Sequence, residues 1–220
     1  LGITALSPFT RHLSPWLPSS ARWQLPARAL SIAKARHAAT RLWFAGMDRI
    51  VALNAWTERM LQLNGVTPAQ IRKVRHGLTQ VPPAATTLSP RTPGGPLRLV
   101  FLGRLDPIKG IDVLLHALAL APELNVELHV FTIVEESPGP LVLALQQRLA
   151  SERRIRICKP VPPGSVIETL RQYDALLVPS QWLETGPLVV LEAFAAGIPV
   201  LGADLGGIAE WVHHERDGLL

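Results

Sequence analysis

A single cysteine, Cys158, in 220 residues excludes an internal disulfide framework and fits a reducing compartment. No uncharged apolar run reaches the roughly 20 residues that a membrane-spanning helix needs, and no stretch reads as a secretory signal. A cytoplasmic protein is therefore expected. Neither a GxGxxG fingerprint nor a GxxxxGK[ST] loop occurs, which counts against dinucleotide dehydrogenases and P-loop NTPases. There is no nucleophile elbow and no internal repeat. Acidic residues are missing from positions 1–47, which carry six basic groups: Arg11, Arg22, Arg28, Lys34, Arg36 and Arg41. The remainder holds 16 basic and 17 acidic groups, so the net charge of +5 belongs to one segment and not to the whole surface. That segment contains no recognisable nucleic-acid-binding module, and nucleic acid is not expected as a partner.

What is present describes a globular chain, 48% hydrophobic and 18% charged, long enough for one or two domains with an ample core. The sequence starts at Leu1 and stops at Gly218-Leu219-Leu220 behind a helix-like segment, so a fragment truncated at both ends is expected. Residues 1–20 read as irregular, with Pro8, Pro15 and Pro18. A helix is predicted over 27–44, a strand over 48–53, a helix over 55–63 ended by Asn64-Gly65, and a strand end over 71–75. Residues 80–96, rich in proline and threonine, read as a linker. Beyond it strands and helices alternate. Strands are predicted over 97–102, 126–133, 155–157, 174–178 and 200–201. Helices are predicted from Ile111, over 141–149, over 166–172, from Pro187 to the cap at Gly197, and over 208–212. That alternation predicts an α/β fold with a Rossmann-like, doubly wound parallel sheet.

The stretch PSQWLETGPLVVLEAFAAG, Pro179 to Gly197, concentrates the chemistry. It leaves a buried strand, carries Glu184 in a loop, and enters a helix at Gly186-Pro187, with proline expected at the first helical position. Glu192 lies inside that helix among Val189, Val190, Leu191, Ala193 and Phe194. A carboxylate there is unfavourable unless it is paired, edges into solvent or binds something. Amides unpaired at the helix start make an anion seat between the two glutamates. The loop GRLDPIKG, Gly103 to Gly110, leaves a neighbouring strand and brings Arg104 and Lys109 to the same sheet edge. Two cations and two carboxylates at one switch point suit a ligand with a diphosphate and several hydroxyls, and a sugar nucleotide has both. Gly206-Gly207 reads as a tight strand-to-helix turn. His213, His214 and Glu215 make a poor metal site, because adjacent residues rarely face one ion.

GRLDPIKGIDVLLHAL followed by PSQWLETGPLVVLEAFAAGIPVLGADLGGIAEWV resembles the C-terminal domain of retaining family-4 glycosyltransferases of the GT-B fold, glycosyltransferases group 1. The spacing Glu184-x7-Glu192 matches the paired-glutamate motif of that family. IVALNAWTERMLQLNGV, with IRKVRHGL behind it, is similar to the end of the N-terminal domain. The resemblance covers residues 48–220. It implies three parts: residues 1–79, the end of an acceptor-side N-terminal domain; 80–96, the interdomain linker; and 97–220, an incomplete nucleotide-sugar-binding domain.

By the same resemblance, Arg104 and Lys109 hold the donor diphosphate and stabilise the leaving group, and Glu184 binds donor-sugar hydroxyls. Gly103 and the backbone of Thr185, Gly186 and Leu188 meet the donor, and Glu192 takes the ribose hydroxyls. No metal and no cofactor beyond the nucleotide-sugar donor are implied, and the acceptor is a saccharide or a lipid-linked hydroxyl. Pro187, His76 and Asn54 depart from the family pattern. A nucleotide-sugar epimerase and a non-catalytic binding module on the same fold stay open as alternatives. The basic segment, with Trp16, Trp23 and Trp43, suits an anionic membrane surface at the inner face of the membrane.

Overall fold

The computed structural model describes residues 24–79, 93–133 and 139–220. The readings made for residues 1–23, and for most of the linker at 80–92, lie outside the described residues. The chain divides into two compact units, Leu1–Val51 with Arg59–Arg72, and Ala52–Glu58 with Lys73–Leu220.

In the first unit α1 (Gln24–Ala45) is followed by β1 (Ile50–Ala52), α2 (Ala55–Leu63) and β2 (Ile71–Lys73), with α2 divided between the units. β1 and β2 pair as a two-stranded ribbon. Gln70 ties the turn before β2 to the end of α1, its Nε2 donating to Met47 O at 2.9 Å and to Phe44 O at 3.3 Å. α2 stops at the predicted Asn64-Gly65, where Gly65 takes φ +90° and the Gly65 N–H returns to Gln62 O. Both strands are shorter than the sequence suggests, with three residues each.

The second unit is built on β3 (Leu97–Leu102), β4 (Val126–Phe131), β5 (Ile155–Cys158), β6 (Ala175–Val178), β7 (Val200–Gly202) and β8 (Gly218–Leu219). They form one sheet in the order β5-β4-β3-β6-β7-β8, with every pairing parallel. The order reverses between β3 and β6, as in a doubly wound fold. α3 (Ile111–Leu120) and α4 (Pro140–Ser151) pack on one face, where Ile111, Leu115, Leu118, Leu145 and Leu149 meet Leu99, Phe101, Leu128, Val130 and Leu177. α5 (Val166–Leu170), α6 (Leu188–Ala196) and α7 (Gly206–Trp211) pack on the other. There Leu170, Val190, Ala193, Ala196, Ile208 and Trp211 meet Val100, Leu176, Val178 and Val200.

All four residues of β6 are buried, which accounts for its unbroken apolar run: a central parallel strand has no solvent face. Each large aliphatic side chain buried in these layers contributes about 1.5–3 kcal/mol. Two local readings need correction. Pro187 is the residue before the helix, in extended conformation (φ −69°, ψ 124°), and α6 starts at Leu188. Its ring fixes φ but leaves ψ free, so it serves as the cap, its carbonyl accepting from Val190 N at 3.0 Å. Gly206-Gly207 are the first turn of α7 and not a separate turn before it. β8 was not foreseen, because two residues carry no periodicity. Gly218 is required there, since a Cβ would lie 2.0 Å from Val200 O.

Candidate active site

The loops leaving β3, β6 and β7 converge at the carboxyl edge of the sheet. After β3, Asp106 caps a short 3-10 turn over Pro107–Lys109 by accepting from Ile108 N at 3.1 Å. Gly110 then turns left-handed, with φ +74°, into α3. A Cβ on Gly110 would sit 1.8 Å from Pro179 O, so no other residue permits this approach of the first loop to the second. Gln181 fastens the contact: its N–H donates to Ile108 O at 2.8 Å, and its Nε2 donates to Asp112 Oδ1 at 3.0 Å.

This docking brings Lys109 Nζ to 2.6 Å from Glu184 Oε1. Ser180, only 1% exposed, places its hydroxyl 2.9 Å from the same oxygen and 3.1 Å from Ile108 O. Two of the sequence-predicted residues thus form an ion pair with a buried hydroxyl beside it. Arg104 stands apart, its side chain 74% exposed and 4.0 Å from Asp106 Oδ2. With Gly103 it lines a cleft of about 250 Å³ closed by Leu102, Phe131, Thr132 and Val161. A guanidinium so placed is open to an incoming anion.

Glu192 occupies a separate small cleft of about 110 Å³ with Leu78, Thr79, Pro163, Gly164 and Ile167. Among the described residues it has neither an ion-pair nor a hydrogen-bond partner, so the pairing that its apolar helix would call for is not found there. Burial holds its carboxyl above the usual carboxylate range. A carboxyl with a raised folded-state pKa stabilises the fold in its protonated form. That contribution is complete below the ordinary value of 4.5 and is lost as pH rises through the raised one. Glu192→Gln in the full-length protein is therefore expected to unfold at a higher temperature than the natural chain at neutral pH. Below pH 4 the two should coincide. Identical unfolding temperatures at neutral pH would refute this account of Glu192.

Thr185, Gly186 and Leu188 surround the start of α6. Gly186 is buried at φ +124°, and a Cβ on it would lie 2.5 Å from the Trp211 ring. Among the described residues the amides of Thr185 and Leu188 donate to no protein acceptor, so both are available to a ligand oxygen. Pro187 supplies no amide, which leaves the anion seat narrower than a helix start usually is.

The sequence reading missed Ser180, Trp56 and Glu210 and treated Asn54 only as a departure from a pattern. Asn54 and Trp56 donate to Thr185 O and Glu184 O, at 2.7 and 3.1 Å, from more than 120 residues away. Ser180 had one signal, a small polar residue directly behind a buried strand. The other contacts had none. His213 and His214 are engaged locally, with Asp217 Oδ2 at 2.8 Å and with the Leu220 N–H at 3.0 Å.

Comparison with known proteins bears on the family and the fold. A D-inositol 3-phosphate glycosyltransferase of Nocardia farcinica is 34% identical over 190 residues, covering 80% of this chain and 42% of its own length. The chain thus spans about two fifths of that relative. Sucrose-phosphate synthase from Thermosynechococcus elongatus superposes with a TM-score of 0.66 at 22% identity, over 85% of this chain and 48% of its own. Anabaena HepE, solved with UDP and glucose, superposes with a TM-score of 0.63 at 20% identity, over 79% of this chain and 49% of its own. At such identities the superpositions speak for the fold alone, a GT-B half with its parallel sheet. Residues 89–220, more than half of the sequence, match the family described as glycosyl transferases group 1, and the chain belongs to that family.

Proposed function

We propose that this chain contributes the donor side of a glycosyltransferase that moves a sugar from a nucleotide sugar to an acceptor hydroxyl, with retention of anomeric configuration and without a metal ion. The observation that carries the reading is the contact between Lys109 and Glu184 at the switch point of the sheet. One is a cation suited to a phosphate, the other a carboxylate suited to sugar hydroxyls, and the two meet where a diphosphate joins a sugar.

In the reaction the bond between the anomeric carbon and the diphosphate oxygen breaks, and the leaving nucleoside diphosphate takes the electron pair. Arg104, Lys109 and the amides of Thr185 and Leu188 stabilise that developing charge, the task a metal ion performs elsewhere. The acceptor oxygen bonds to the same face of the sugar and passes its proton to the departing diphosphate oxygen, which lies on that face. Glu184 orients the sugar through its hydroxyls, and Glu192 takes the ribose hydroxyls in its cleft. Gly103 lets the backbone approach the nucleotide beside Arg104. Residues 1–79 are read as the end of the acceptor-side domain and 80–96 as the linker, so that transfer belongs to the longer protein. The acceptor is a saccharide or a lipid-linked hydroxyl. The basic segment 1–47 is read as resting on an anionic membrane surface from the cytoplasmic side.

Thermal unfolding of the full-length protein with uridine, guanosine and adenosine diphosphates and their sugar conjugates tests the reading. A donor at a hundred times its dissociation constant adds about 2.7 kcal/mol, a rise easily measured. One base is expected to stabilise, and its sugar conjugate to be consumed only when an acceptor is supplied. Stabilisation by none would overturn the proposal, and conversion of the donor sugar without an acceptor would indicate an epimerase. Co-sedimentation with anionic and neutral vesicles tests the membrane contact, and binding indifferent to lipid charge would remove it.

A further inference from the structure

The loop that carries Glu184 is held by residues to which the preceding reading gives no part. Asn54, 2% exposed, uses both ends of its amide. Its Oδ1 accepts from Thr57 N at 2.9 Å and caps α2, while its Nδ2 donates to Thr185 O at 2.7 Å. Serine or aspartate could do the first but not the second, since neither carries a donor of that reach. Two residues on, Trp56 Nε1 donates to Glu184 O at 3.1 Å, an oxygen that also takes the Gly207 N–H at 2.6 Å. Glu210 on α7 closes the ring. Its two oxygens accept from Ala55 N at 2.7 Å and from Trp56 N at 2.9 Å, first-turn amides of α2 that have no partner within the helix. Gly207 completes the packing, for a Cβ there would lie 2.6 Å from Gly186 N.

We propose that Asn54, Trp56 and Glu210 form a positioning clamp that fixes the backbone of Glu184 and Thr185, and so sets where the Glu184 carboxylate meets the transferred sugar. The role rests on the reading of Glu184 given above. None of the three needs to touch the donor. They act through the backbone of a residue that does, and displacements well below the length of a hydrogen bond weaken transfer. The clamp makes no contact with Arg104 or with Lys109, which come from the loop after β3. Its loss should therefore fall chiefly on sugar placement, and diphosphate binding, carried mainly by Arg104 and Lys109 with only the Thr185 amide disturbed, should change little.

Asn54→Ser keeps an oxygen for Thr57 N but removes the donor to Thr185. Glu210→Gln keeps the shape but turns an N–H₂ toward one of the two amides. In the full-length protein both variants are expected to lower kcat about tenfold or more while the Kd for nucleoside diphosphate stays within about twofold. Hydrogen exchange of the Glu184 and Gly207 amides, which donate to Trp182 O and to Glu184 O, should be about tenfold faster in each. Unchanged exchange would dismantle the clamp whatever the activity. Faster exchange with unchanged kcat, or nucleoside diphosphate affinity falling in step with kcat, would leave it a purely structural contact and overturn the positioning role. If the natural protein transfers from no nucleotide sugar, the functional reading and the positioning role fall together, and the exchange rates still decide whether the clamp exists.

Discussion

Alanine at Glu184 in the full-length protein is expected to lower transfer about ten- to a hundredfold while leaving nucleoside diphosphate bound as tightly as before, or more tightly. The loss follows from removing charged hydrogen bonds to sugar hydroxyls, each worth about 1.5–3 kcal/mol. Retention of diphosphate affinity follows from the ion pair. The Lys109 ammonium lies 2.6 Å from the Glu184 carboxylate, so a phosphate must compete for it. Deleting the carboxylate removes the competitor. Glu184→Gln, which keeps the volume, controls for the partly buried lysine left behind. Calorimetric titration of nucleoside diphosphate beside steady-state transfer separates the two quantities. Parallel loss of both in Glu184→Ala would refute the assignment of Glu184 to the sugar. Glu192→Ala, by contrast, should weaken nucleoside diphosphate, because the proposed reading gives it the ribose.

Arg104→Ala and Lys109→Ala should each weaken nucleoside diphosphate about ten- to a hundredfold, through the loss of a charge-assisted bond worth about 1.5–3 kcal/mol, and leave free nucleoside unaffected. The two are not equivalent. The Arg104 side chain is 74% exposed with only a distant carboxylate, so its removal should read out the phosphate contact with little else. Lys109 is 28% exposed and engaged, so its removal also releases Glu184, and the two substitutions should be non-additive. A double-mutant cycle measures the coupling. Additive effects at positions 109 and 184 would mean that the pair does not persist in solution, and a parallel fall in nucleoside affinity would make the loop a structural one.

The alternation of strand and helix was legible because each element repeats a local period, and α2 and β3 have the predicted bounds. Arg104, Lys109 and Glu184 stood out in the sequence as charges on loops that leave buried strands, and Glu192 as a carboxylate inside an apolar helix. The partners of those residues were not. Nothing in the local sequence says that Ser180 lies beside Glu184, or that Asn54 reaches Thr185 across 131 positions, because such contacts are set by how loops stack and not by period. Pro187 was misplaced by one residue for a related reason: proline is acceptable both at the first helical position and just before it, and only ψ decides.

The contact of Gly110 with Pro179 bears on how this site can diverge. The space for a Cβ is filled by a carbonyl 1.8 Å away, so the loops after β3 and β6 share a backbone seam and neither can be shifted without the other. An insertion or a bulkier residue at the seam would force the two loops apart, and on the reading proposed above the spacing between diphosphate and sugar contacts would be lost. On that reading, preference for one sugar over another belongs to side chains that project from the loops, such as the exposed Trp182, Leu183 and Leu188, and not to the path of the chain. The glycine holds the two loops at one distance and leaves the side chains they carry free to vary.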